Sequence, residues 1–205
     1  MKKLILIALF SLMMVSTAFA IPLAPGGSVV PTGLASPGGT LLATLVDPFA
    51  STNALNQVLF SGTLTQTVRS NGTGLVFEYV FSNSSGSLDR IESLSTTNFA
   101  GWTTDVNAGL GTSSGSVPTT ISRGLSGGTI TASIYNLIQG GTSSMLWIQT
   151  NAHYYTLGTT SLLNGGTASV ITYAPAVPEP GSLALLGMGL LGMIGYGKAR
   201  FGKKA

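Results

Sequence analysis

Apolar side chains alternate with Ser and Thr along several short segments, and this alternation restricts the fold more than any other feature. Phe60 and Leu64 follow it, residues 75–81 form its longest example, and further segments lie at 130–134, 146–148 and 170–172. A period of two places one row of side chains on each face of a β-strand. Clusters of Gly, Ser and Asn between the segments are typical of turns. The sequence therefore predicts an all-β fold, an antiparallel β-sandwich of jelly-roll or immunoglobulin-like topology.

The C-terminal end has a different pattern, an uncharged run at 182–197 that is rich in Leu and Gly. As a helix, 181–197 would be about 25 Å long at roughly 1.5 Å per residue. This is close to the roughly 30 Å of a bilayer core, and basic side chains beyond it can reach the interface. Glycines disfavour a soluble helix but are tolerated where helices meet in lipid. The run predicts a single transmembrane helix at 182–197, with a buried core helix as the alternative.

Charged and proline residues flank this run on its two sides. Four basic residues follow it, namely Lys198, Arg200, Lys203 and Lys204. Because an excess of Lys and Arg marks the cytoplasmic side of a transmembrane helix, they are predicted to form a basic membrane stop. Pro178, Glu179 and Pro180 precede it. The two prolines hold Glu179 in an extended conformation, which leaves a strip that a protease at the membrane can engage.

Together, the strip, the apolar run and the basic end resemble the PEP-CTERM sorting signal of Gram-negative bacteria. The resemblance implies that an exosortase-type membrane protease recognises the sorting motif Pro178, Glu179 and Pro180. It also implies release toward the cell surface or an exopolysaccharide matrix. The segments 60–64, 75–79, 99–106 and 141–152 resemble the β-rich ectodomains found before such tails, which have no assigned activity.

The N-terminal end has the three parts of a secretory signal peptide. Lys2 and Lys3 precede an apolar stretch at 4–15, and Ala18 and Ala20 form a small-residue cleavage pattern. We expect cleavage after Ala20, with a retained N-terminal anchor as the alternative. The predicted organisation is a signal peptide at 1–20, a Pro/Gly-rich arm at 21–40, a β-sandwich ectodomain at 41–177 and the sorting signal at 178–205.

The charge of the chain belongs to its ends. The net charge of the whole chain is +3, but no lysine lies between Lys3 and Lys198. Residues 21–177 contain three arginines and five acids, so their net charge is 3 − 5 = −2. We therefore expect no nucleic acid among the partners. The chain has no cysteine, which excludes disulfides and thiol catalysis.

Candidate catalytic and metal-binding residues are few. The segment 111–115 matches the nucleophile pattern G-x-S-x-G, but no acid lies between it and His153, the one histidine. A single histidine cannot build a metal site. Asp105 and Asn107 alternate as calcium ligands do, although an Asx turn is the preferred interpretation. We expect no catalytic residue, no cofactor and no metal.

Two other classes of function stay open besides a structural or adhesive role at the cell surface. Aromatic residues exposed to solvent would stack on sugar rings, which predicts a polysaccharide-binding module; the candidates are Trp102, Tyr135, Trp147, Tyr154 and Tyr155. A secreted hydrolase would use acids among Glu78, Asp89 and Glu92. A local ion pair of Arg90 with its neighbouring acids is the preferred interpretation of the last two. We expect an exported, membrane-anchored and then surface-associated protein that is not an enzyme.

Overall fold

The computed structural model describes residues 20–109 and 116–177, and all regular elements in this part are strands. They are β1 (Ile21–Pro22), β2 (Ser28–Val29), β3 (Thr40–Thr52), β4 (Val58–Ser70), β5 (Leu75–Phe81), β6 (Ile91–Thr96), β7 (Thr104–Gly109), β8 (Thr120–Arg123), β9 (Ile130–Leu137), β10 (Met145–Thr150), β11 (Tyr154–Asn164) and β12 (Gly166–Ala176).

These strands form two six-stranded sheets in which each neighbouring pair is antiparallel. The first sheet has the order β1-β7-β10-β5-β4-β3, and the second has the order β12-β11-β6-β9-β8-β2. From β5 to β11 the chain crosses between the sheets at each connection except the β8–β9 turn. The prediction of an all-β fold with antiparallel sheets is confirmed. The predicted signal peptide and C-terminal helix lie outside the described residues, apart from Ala20.

The core lies between the two sheets and is formed by the inward-facing row of each strand. In β4 the inward row contains Phe60, Leu64 and Val68, which are fully buried. Aromatic pairs connect the layers: the Phe77 ring meets Phe99 edge-on at 5.7 Å. Burial of such large apolar side chains supplies the main driving force of a domain without disulfides.

The Pro/Gly-rich arm contributes to both sheets and then covers part of one of them. Its β1 pairs with β7 and its β2 pairs with β8, so that each lies at a sheet edge. The following residues lie over the outer face of the first sheet. There the amide of Thr32 donates to Asn107 Oδ1 at 2.9 Å, and the Leu34 carbonyl accepts from Trp147 Nε1 at 3.0 Å.

One open edge of the sandwich is covered by contacts between the sheets. β12, at the edge of the second sheet, packs against β3 and β4 of the first. Gln66 of β4 is fully buried, and its side-chain amide bonds both the N–H and the C=O of Tyr173 in β12. Because these backbone groups face away from β11, they would otherwise be an unpaired strand edge.

Candidate functional site

A cleft of about 780 Å³ opens at the end of the sandwich where the described chain ends. Among the described residues its lining includes three aromatic side chains, one amide and no charged residue: Asn98, Ala100, Gly101, Trp102, Tyr154, Tyr155, Thr156, Pro175, Ala176 and Val177. Val177 is bonded directly to the predicted sorting strip. We call these ten residues the aromatic cleft.

The tyrosines of the aromatic cleft are positioned by the hairpin of β11 and β12. Tyr154 pairs with Ala176 and Tyr155 pairs with Pro175, at the open end of the hairpin. The Tyr155 ring also contacts Tyr173 edge-on, with ring centroids 5.1 Å apart. Tyr154 stays 57% exposed. The hairpin therefore holds one tyrosine packed and presents the other to solvent.

The loop between β6 and β7 carries Trp102 into the cleft. Asn98 and Gly101 have positive φ angles of 72° and 83°, which turn the backbone sharply on either side of Phe99. Phe99 is buried, and its N–H donates to the Gly128 carbonyl at 3.0 Å. The buried Phe99 thus anchors the loop to the core, and Trp102 is half-buried with one side facing the cleft.

Arg123 holds this loop from inside the protein. It is only 4% exposed and donates five hydrogen bonds of 2.7–3.0 Å to one hydroxyl and four carbonyls, namely Thr104 Oγ1 and the carbonyls of Leu23, Phe99, Trp102 and Gly127. Burial lowers the pKa of the guanidinium from its ordinary value. In the part of the chain that the structure describes, no carboxylate forms an ion pair with Arg123. Backbone carbonyls therefore compensate this buried charge where a carboxylate would be usual.

Sequence reasoning did not identify Arg123 as important, nor Asn98. The partners of Arg123 are carbonyls from residues 4 to 100 positions away along the chain, which no local pattern indicates. The one signal available is that Arg123 has no acid near it in sequence, whereas Arg90 has two.

Two of the five candidate sugar-stacking residues are not exposed, so this part of the prediction is wrong. Trp147 is 2% exposed beneath the arm, and Tyr135 is 1% exposed in the core against Phe81. Burial also raises the pKa of Tyr135. The other three candidates, Trp102, Tyr154 and Tyr155, come together in the aromatic cleft although about 50 positions separate them in sequence.

The preferred interpretation of Asp105 and Asn107 as an Asx turn is also wrong. Both lie in β7, inside the first sheet between β1 and β10. The Asn107 amide is engaged by Thr32, to which Nδ2 donates at 2.8 Å. Burial raises the pKa of the Asp105 carboxyl. Within 20–109 and 116–177 no three metal-ligating side chains are close enough to hold an ion.

Two of the three acids considered for hydrolysis form ion pairs. Glu78 is 5% exposed and pairs with Arg69, its Oε2 lying 2.9 Å from Arg69 Nε. Arg90 and Glu92 form an exposed pair at 3.0 Å, which confirms the predicted local ion pair. Glu78 belongs to the first sheet and Glu92 to the second. His153 is exposed just before β11, and the 111–115 motif lies outside the described residues.

The predicted sorting and membrane residues are mostly beyond the described part of the chain. Outside it lie the sorting motif at 178–180, the basic stop at 198–204, and Ala18. Ala20 is described, is half-buried and directly precedes β1. In the segments 20–109 and 116–177 no helix has the length and apolarity needed to cross a membrane.

Comparison with known proteins identifies one feature of the chain. A family model described as the PEP-CTERM protein-sorting motif matches residues 176–199. The matched segment begins with Ala176, the last residue of β12 and part of the aromatic cleft. No curated protein and no solved structure matches the chain.

Proposed function

Because the chain carries a PEP-CTERM sorting motif at residues 176–199, which implies export, membrane anchoring and exosortase processing, we propose a surface or matrix protein with a structural or adhesive role. The observation that carries this proposal is the junction at Val177. The folded sandwich ends there, and the strip Pro178–Pro180 follows with no spacer. A cut in the strip would therefore release the whole sandwich intact.

The proposed mechanism is topological. The signal peptide starts translocation, and cleavage after Ala20 makes Ile21 the first residue of the mature chain. Because β1 begins at Ile21, this cut leaves every strand of the described sandwich in place. The helix at 182–197 then stops translocation with Lys198 onward in the cytoplasm, and the exosortase cuts the strip on the opposite side.

The proposal is tested by changing the strip in the native host. With Pro178→Ala and Pro180→Ala combined, we expect the chain to accumulate in the membrane fraction at the precursor mass. The matched control is Pro31→Ala with Pro37→Ala, which alters two prolines of the arm away from both predicted cut sites. If the altered strip is processed as efficiently as the control, the assignment of the sorting motif fails.

A second candidate function is binding of polysaccharide by the released protein. It is supported by the aromatic cleft, where Trp102, Tyr154 and Tyr155 lie beside the Asn98 amide and no charged residue of the part of the chain that the structure describes is in the lining. Aromatic faces stack on the apolar faces of sugar rings, and an amide bonds their hydroxyls. A neutral cleft favours a neutral glycan.

Retention on an exopolysaccharide column tests this second candidate. Trp102→Ala and Tyr154→Ala are expected to reduce retention at least tenfold. Leu55→Ala, which shortens an exposed side chain in the turn between β3 and β4 outside the cleft lining, is the control and should retain binding. Equal retention of all variants, or no retention of the unaltered chain on any glycan, would remove the candidate.

The proposed role is not catalytic. Its support is that Glu78 is paired with Arg69 on the first sheet and that Glu92 is paired with Arg90 on the second. We expect flat progress curves on glycoside and ester substrates. Turnover that disappears in Glu92→Gln would instead favour the secreted hydrolase.

A further inference from the structure

The length of chain between the sandwich and the predicted membrane helix limits how the precursor can stand on a bilayer. Four residues, 178–181, separate Val177 from Ser182. The five Cα steps involved span at most about 17 Å. The headgroup layer on one side of a bilayer is about 5–7 Å thick. The end of the sandwich that holds Val177 must therefore lie close to the lipid headgroups.

Only one end of the sandwich is within this reach. The hairpin of β11 and β12 runs from the Tyr154–Ala176 pair to the Asn164–Gly166 pair, a distance of about 33 Å. The turn between β3 and β4 lies at the far end, because Gly166 contacts Ser51 there. Its exposed Leu55 cannot approach the same headgroups unless the sandwich lies on its side.

The near end carries exposed side chains of the kind found at membrane interfaces. Leu125 in the β8–β9 turn is 90% exposed and Val177 is 68% exposed. Trp102 and the 57% exposed Tyr154 lie at the same end of the sandwich, because the β8–β9 turn and the cleft loop are held together through Arg123 and through the Phe99–Gly128 hydrogen bond. Trp and Tyr, with an apolar ring and one polar atom, prefer the boundary between lipid and water.

We infer that in the membrane-anchored precursor Trp102, Leu125, Tyr154 and Val177 insert into the headgroup layer, so that a lipid surface is the first partner of the aromatic cleft. We call these four residues the interfacial end. The inference rests on the proposed membrane anchor. It deepens that proposal, because it assigns an orientation to the sandwich and a lipid contact to residues outside the sorting signal.

This contact has a consequence for processing. A sandwich held upright keeps the strip at 178–180 inside or next to the headgroup layer, where a membrane protease works. The same contact covers the aromatic cleft until the strip is cut. Glycan binding by the cleft is then a property of the released form, and the precursor in vesicles should bind the same glycan at least tenfold more weakly.

Single-cysteine labelling of the leader-free precursor tests the inference. The chain has no cysteine, so each variant carries one nitroxide label. Leu125→Cys probes the interfacial end, and Leu55→Cys is the matched control, since both lie in turns and are 90% and 78% exposed. In vesicles of phosphatidylethanolamine and phosphatidylglycerol, collisions with a water-soluble nickel chelate should be at least fivefold rarer for the label at 125 than at 55.

The native tryptophan gives a second readout that needs no label. The fluorescence of Trp102 is obtained as the difference between the unaltered chain and Trp102→Phe, and lipids with a nitroxide on the headgroup should quench most of it. Trp147, which is buried under the arm, should be quenched little. A Trp102 that is shielded from acrylamide but unaffected by nitroxide lipid would mean that the tail strip or a glycan fills the cleft, and would overturn the inference.

Flotation of the same vesicles separates this inference from the anchor itself. If the chain floats with the vesicles and both labels are equally open to the nickel chelate, the anchor stands and the interfacial contact is refuted. If both labels enter the lipid, the sandwich lies on its side and the upright orientation is wrong. A chain that does not float contradicts the anchor and the inference together.

Discussion

At the scale of single residues, the guanidinium of Arg123 connects three parts of the chain that are distant in sequence. It bonds the carbonyl of Leu23 after β1, that of Gly127 in the β8–β9 turn, and that of Trp102 in the cleft loop. A planar cation with five N–H donors suits this role, because lysine has three donors and no fixed plane. Arg123 is thus a positioning residue for the aromatic cleft.

Replacing Arg123 with Met should lower the free energy of unfolding by about 3–5 kcal/mol, because several buried carbonyls lose their donor at once. The control is Arg90→Met, which removes an exposed ion pair and should cost less than about 1 kcal/mol. Urea unfolding of the mature chain measures both. Equal effects of the two substitutions would contradict the role assigned to Arg123.

Asp105 predicts a pH dependence of stability. Burial raises the pKa of its carboxyl in the folded state above the unfolded value of about 3.8, so the folded protein binds the proton more tightly. Its contribution to stability is therefore present below that value and is lost as the pH rises through the raised pKa.

The substitution Asp105→Asn removes the loss of stability that accompanies ionisation of this carboxyl. The stability of the variant relative to the unaltered chain should rise from pH 3 to pH 7, as measured by urea unfolding at several pH values. A relative stability that stays constant or falls over this range would show that burial does not disfavour the charged carboxylate.

At the scale of secondary structure, the alternating pattern predicted some strands and missed others for a physical reason. β4 and β10 have an apolar row that faces the core, which the alternation reveals. The polar row of β7, Asp105 and Asn107, lies on its outer face near the arm, and Asn107 bonds Thr32 there. Alternating polar residues near Gly109 favour a turn when only local sequence is considered, and the covering arm is not visible locally.

At Gly62 the backbone of the first sheet packs closely against the backbone of Ser82. Gly62 lies in β4, and a Cβ atom there would come within 1.9 Å of the Ser82 carbonyl oxygen. Backbone atoms cannot move aside as a flexible side chain can, so Gly62→Ala should destabilise the protein by about 3 kcal/mol. Gly86→Ala is the control, because a Cβ at Gly86 meets no atom within 4 Å. Thermal unfolding should separate the two clearly, and similar melting temperatures would refute the close packing.

At the scale of the whole molecule, the chain combines two ends that sequence patterns describe with a centre that only the fold explains. The charge pattern and the apolar run identify the sorting signal, because translocation and anchoring act on local sequence. The aromatic cleft joins loop 98–102 to β11 and β12, and its formation depends on strand order and register, which turn spacing does not determine. For the same reason the burial of Trp147 could not be predicted from sequence.

The central claim is that a folded sandwich is cut free of a membrane anchor at the strip that follows Val177. The intact mass of the surface or secreted form in the native host tests it most directly. We predict a chain that starts at Ile21 and ends between Val177 and Pro180, after allowance for any attached glycan. A surface form whose mass still includes Lys203 and Lys204 would contradict the account.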